Sequence, residues 1–166
     1  MTERPEFSRP VPVDRIAPPG QEQRIEASAE ECAALAVRLG VPAVRTFAAS
    51  FLLVRREGGR IEAHGHLTGR LVRECVVSLE LFEARVKEDF AVVFVPEAAL
   101  EEDIDLEGED EIPYAGGTID LGEAAAEQLA LTLDPYPRRP GAELPETAQE
   151  ARESPFAVLQ RPKGND

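Results

Sequence analysis

From Ile61 to Leu71 the chain alternates without a lapse. Ile61, Ala63, Gly65, Leu67, Gly69 and Leu71 hold the odd positions, and Glu62, His64, His66, Thr68 and Arg70 hold the even ones. Successive side chains of an extended chain point to opposite faces, so this pattern predicts a strand with one face in a core and the other in water. Upstream, Ala43 to Arg56 is rich in Val, Leu and Phe and is joined to that strand by the hairpin turn Glu57-Gly58-Gly59. Downstream, Ala84, Val86, Phe90, Val92 and Phe94 alternate with Glu83, Arg85, Lys87 and Asp89 until Pro96, and Glu88 is the one break. The turns between these segments are too short for a crossover, so residues 43–56, 60–75 and 83–95 predict an antiparallel meander. Gly65 and Gly69 on the inner face predict a bulge, a bend or a large side chain crossing above them.

Two helices have clear boundaries. Ser28 with Glu31 forms a capping box, Cys32, Leu35, Ala36 and Leu39 form an apolar stripe, and Gly40 and Pro42 close a helix over 29–39. Asp120 caps the second helix, 121–133, with Glu123 at its third position. Leu121, Ala125, Leu129 and Leu133 recur at four-residue intervals, and Asp134-Pro135 stops it. The predicted class is therefore α+β: an antiparallel β-meander, open or barrel-like, with two helices packed on one face.

The ends are less regular. The first 27 residues are rich in Pro, with Phe7, Val11, Val13 and Ile16 able to supply one short edge strand. Residues 1–140 are expected to form a single domain, and 141–166 a flexible tail carrying the apolar motif Pro155-Phe156-Ala157-Val158-Leu159. That motif is either a clip docked on the body or a short recognition element. The chain has no apolar run of signal-peptide or membrane-spanning type, which predicts a cytoplasmic protein without membrane contact. Cys32 and Cys75 are expected to be two free thiols.

Charge is unevenly spread. The formal net charge is -14, yet between Glu88 and Pro137 fifteen Asp and Glu occur with no Lys or Arg, whereas elsewhere eighteen basic residues face seventeen acidic ones. A field of this sign repels a phosphate backbone and disfavours strong direct RNA binding. The segment from Glu97 to Pro113 shows neither period and is expected to be a mobile loop with at most one helical turn near Ala98-Leu100. It serves either as a solvated loop or as a dock for a basic partner.

Motifs of site chemistry are sparse. Asp103-Ile104-Asp105-Leu106-Glu107-Gly108 opens like a calcium loop, but the twelfth position is Tyr114 instead of a bidentate Glu. His64 and His66 share a strand face without evident further ligands, which leaves them as exposed histidines or as weak candidates for a metal-dependent or RNA-processing hydrolase. No phosphate loop, nucleophile elbow, zinc-protease or Cys-x-x-Cys motif occurs. The residues predict no catalytic site, no cofactor and no resident metal.

Several segments carry a resemblance. These are Cys75-Val76-Val77-Ser78-Leu79-Glu80 leading into Arg85-Val86-Lys87-Glu88-Asp89-Phe90, the acidic loop, Ile119-Asp120-Leu121, Leu129-Ala130-Leu131, and Pro135-Tyr136-Pro137-Arg138-Arg139-Pro140-Gly141. In this order, from about Phe7 to Leu159, the chain resembles the YceD family of large ribosomal RNA subunit accumulation proteins. The Cys75 and Pro135 to Gly141 motifs and the terminal Pro-Phe-Ala-x-Leu resemble its alphaproteobacterial branch. The resemblance implies a cytoplasmic, non-catalytic factor for accumulation of large-subunit ribosomal RNA. It also suggests a basic ribosomal protein or assembly factor as partner. Candidate interaction residues are Cys75, Glu101, Glu102, Asp103, Asp105, Asp120, Pro135, Tyr136, Pro137, Arg138, Arg139, Phe156 and Leu159. Many members carry Cys-x-Arg-Cys where this chain has Cys75, Val77 and Ser78, so a tetrahedral zinc site cannot be completed from that motif.

Overall fold

A computed structural model describes residues 5–99 and 110–143. The order of elements is β1 (Pro10–Pro12), β2 (Gln21–Glu26), α1 (Ala29–Leu39), β3 (Ala43–Arg55), β4 (Ile61–Glu74), β5 (Leu81–Pro96), β6 (Asp110–Tyr114), β7 (Thr118–Asp120) and α2 (Leu121–Thr132). A five-stranded sheet runs β2-β3-β4-β5-β6, and β1 pairs with β7 in a separate ribbon. β2 and β6 are its two ends and do not meet, so the sheet is open and no barrel forms.

β3, β4 and β5 form the antiparallel meander. Its inner face carries Phe47, Ala49, Phe51 and Leu53 of β3, Ile61, Ala63, Leu67 and Leu71 of β4, and Val92 and Phe94 of β5. These join Cys32, Leu35 and Ala36 of α1 and Leu121, Ala124, Ala125 and Leu129 of α2 in one core. The capping box at Ser28 and Glu31 is formed, and Gly40 closes α1 in the left-handed conformation at φ 63°. Above Gly65 the crossing side chain is Phe90: a Cβ there would lie 2.2 Å from its ring, which stacks edge-on against Phe51 across the glycine. Gly69 has no such neighbour, the nearest atoms to an added Cβ being at 3.4 Å.

Three expectations are corrected. β2, absent from the sequence reading, takes the sheet edge beside β3, because an edge strand with one wet face can be polar throughout except for Ile25. The N-terminal strand lies in the separate ribbon, while Phe7, Val13 and Ile16 are buried in the core. The acidic segment opens with a helical turn, Glu97–Ala99, close to where one was expected, but it does not stay a loop to Pro113: Asp110–Tyr114 is β6, parallel to β5. A parallel neighbour needs a connection of about a dozen residues or more, which this segment supplies, and Pro113 is tolerated because β6 is an edge. Residues 100–109, including the calcium-like motif, lie outside the described residues, as does the C-terminal segment from 144.

β6 pairs only with Val92–Pro96 of β5. Four consecutive residues, Val92 to Val95, are buried where β5 has a strand on both sides. From Leu81 to Ala91 β5 has no second neighbour among the described residues, and exposed Glu88 shares the inner face with its partner Leu67. A charge at an inward position of an open edge opposes pairing with a foreign strand, which accounts for the one break in the alternation.

Candidate functional site

Cys75 follows β4 directly and is fully buried. Its thiol accepts the backbone N–H of Arg139 at 3.3 Å and of Ser78 at 3.5 Å. The turn that follows is closed by Leu79 N–H donating to the Cys75 carbonyl at 2.8 Å and Cys75 N–H donating to the Glu80 carbonyl at 2.9 Å. Leu79 stands at φ 59°. These bonds stabilise the thiolate, the amide of Arg139 most, and bring the Cys75 thiol down to about 6.

The segment after α2 is fixed to the same turn. Val76 N–H donates to the Pro137 carbonyl at 3.0 Å, Arg139 pairs with Glu80 at 2.9 Å, and Arg73 donates to the Asp134 carbonyl at 2.6 Å. Asp134 turns the chain out of the helix by accepting Tyr136 N–H at 2.8 Å. Cys75, Pro135, Tyr136, Pro137, Arg138 and Arg139, distant in sequence, thus form one junction. Cys75 is its internal post, and Tyr136 stands 71% exposed on its surface. Between this junction and the end of α1 lies a groove of about 530 Å³.

The other candidates fall elsewhere. Asp120 sits at the opposite end of α2, where it accepts the N–H groups of Gly122 and Glu123, the Arg9 N–H and the Ser8 hydroxyl. Both its oxygens are engaged within the fold, so it is a structural cap. Glu101, Glu102, Asp103, Asp105, Phe156 and Leu159 lie outside the described residues. The acidic stretch is also less unopposed than its sequence suggests. Arg60 pairs with Glu111 and Arg38 with Glu123, and the His66 ring meets Asp89, each partner coming from outside the stretch. No sequence signal announced these pairings, because each joins elements that are neighbours only in the fold.

A larger concavity, about 910 Å³, spans the outer face of β2 to β5 and is lined by Ser50, Leu52, His64, His66 and Asp89 among others. Ser50, His66 and Asp89 lie in one cross-strand row, and the His66 Nδ1 meets the Asp89 carboxylate. The residue types match a hydrolytic triad, but among the described residues no hydrogen bond joins Ser50 to His66. The surrounding backbone amides belong to strand ladders, so they are not free to converge on an oxyanion. Among the described residues no three His, Cys, Asp or Glu side chains come together to hold a metal ion. No helix among them is long and apolar enough to cross a membrane.

No curated protein and no solved structure matches the chain. A family model does match, over residues 63–161, from the second turn of alternation in β4 through the junction and on to Arg161. Residues 1–62 lie outside this match, which is shorter at its start than the resemblance read from Phe7. It nevertheless covers more than half of the chain and includes both halves of the Cys75 junction, so the chain belongs to the family described as large ribosomal RNA subunit accumulation protein YceD.

Proposed function

We propose that this protein supports accumulation of large-subunit ribosomal RNA as a non-catalytic factor whose acidic segment binds a basic ribosomal protein or assembly factor. The observation that carries this reading is the concentration of fifteen carboxylates between Glu88 and Pro137, with no Lys or Arg among them. Among the described residues, Glu111 and Glu123 are the carboxylates of this stretch paired with an arginine, and Asp89 meets the His66 ring. Such a field speeds encounter with a cationic protein and holds a phosphodiester chain away. The Cys75 junction gives the same partner a rigid second surface, with Tyr136 and Arg138 outermost. The family description supplies the process, and the sign of the field supplies the class of partner.

The test is co-purification of the native protein at low and at high salt, alongside a variant carrying Glu101→Gln, Glu102→Gln, Asp103→Asn and Asp105→Asn. The substitutions should weaken association with a basic protein and flatten its salt dependence, while RNA affinity stays low or rises. Tight, sequence-selective binding of the purified protein to large-subunit RNA, undiminished by salt, would overturn the reading.

A further inference from the structure

The groove beside the Cys75 junction is lined by apolar side chains together with two acids and two arginines. Leu39, Val41, Val76, Leu133 and Pro135 line it, and the C-terminal ends of both α1 and α2 open onto it. A helix C-terminus carries partial negative charge, and Glu74 and Asp134 stand in the same lining. Of its two arginines, Arg38 is paired with Glu123 and Glu6, while Arg73 donates to the neutral Asp134 carbonyl and keeps its charge. The groove suits a short apolar segment, with Glu74, Asp134 and the helix ends to meet cations that follow it.

This chain contains one. Phe156-Ala157-Val158-Leu159 is its longest unbroken apolar run beyond Leu133, and Arg161 and Lys163 follow. We propose that Phe156 to Leu159 docks in this groove within its own chain, with Arg161 toward the negative helix ends. The tether permits it: the described chain ends at Glu143, four residues past Arg139, whose amide is fixed on the Cys75 thiol beside the groove. Residues 144–155 then intervene, a span of up to about 40 Å at roughly 3.3 Å per residue. A tether of that length presents the motif at about millimolar effective concentration, so a weak intrinsic contact suffices. The family match also runs through the motif to residue 161, which makes the segment part of what the family shares with the junction. The proposal stands independently of what the acidic segment binds.

Hydrogen exchange on the full chain tests it. In a variant with Phe156→Ser and Leu159→Ser, amides of Leu39, Gly40, Val41, Leu133, Asp134 and Tyr136 should exchange about tenfold faster than in the native protein. A synthetic peptide of residues 151–163 added to that variant should restore the protection, and the native pattern should not change on hundredfold dilution. Val76→Glu, on the groove side, should reproduce the loss while thermal unfolding remains cooperative; if that variant does not fold, the tail variant and the peptide decide. Equal exchange in the native protein and the tail variant would overturn the proposal, as would failure of the peptide to restore protection. Protection that fades on dilution would place the motif in a second copy and overturn it equally.

Discussion

The two ends of α2 are built by opposite means. At the N-terminal end Asp120 accepts four donors, among them Arg9 N–H at 2.8 Å and Gly122 N–H at 2.9 Å, beside the positive end of the helix. The chain crosses there so closely that a Cβ on Gly122 would stand 2.4 Å from the Phe7 carbonyl. Arg9 lies over the Phe7 ring and grips Glu31 at 2.6 and 2.8 Å, which holds that carboxyl down to about 2. At the C-terminal end a proline stops the helix, one buried thiol holds the departing segment, and a groove remains open. The N-terminal end uses its polar groups within the fold, while the C-terminal end leaves an apolar groove beside it.

The largest expected effect lies at the closed end. Gly122→Ala forces the backbone of Phe7 away, not a flexible side-chain tip, and should lower unfolding free energy by about 2–3 kcal/mol in denaturant titration. A loss below about 0.5 kcal/mol would show that the crossing is loose and would erase the contrast. Asp120→Ala removes the helix cap and leaves the Ser8 and Arg9 donors without their acceptor, for a loss of about 1–2 kcal/mol by the same measurement.

Cys75 sharpens the other side of the comparison through pH. Its folded value near 6 lies below the ordinary 9.0, so its contribution to stability is complete above pH 9 and vanishes as pH falls through about 6. The stability difference between the native protein and Cys75→Ala should therefore widen steadily from pH 6 to pH 9. A constant difference across that window would mean that the Arg139 and Ser78 amides do not hold a thiolate. The smallest effect is expected at Tyr136, which is exposed: Tyr136→Ala should change stability by less than about 0.5 kcal/mol. If that substitution also leaves partner recovery from cell extract unchanged, the junction is structural only.

Much of the frame was legible because it rests on local periodicity. The alternation at 61–71, the capping box at Ser28 and Glu31, and the Asp120 cap each declare themselves within a few residues, and all three occur as read. β2 and β6 escaped because edge strands need not be apolar. Gln21–Glu26 buries one side chain, and Asp110–Tyr114 contains two acids and a proline. Tyr114 and Glu111 secure β6 from the far side, Tyr114 donating to the Gly59 carbonyl at 2.6 Å and Glu111 pairing with Arg60 at the β3–β4 turn. Of the candidate site, the types of residue were legible and their grouping was not. Cys75 and Arg139 are separated by 64 positions, and the bond between them is a backbone amide to a sulfur, which no side-chain pattern records.

The sequence by itself determined the strands of the meander, both helices with their caps, and the sign of the field, because these depend on side-chain period, local hydrogen bonding and the count of charges. Only the tertiary structure decided that β6 runs parallel, that Phe90 lies over Gly65 while no ring crosses Gly69 so closely, and that Cys75 joins the Pro135 to Arg139 segment. Those outcomes depend on which distant surfaces meet once the core has closed, and the free energy that selects them resides in contacts between elements, not within any one of them.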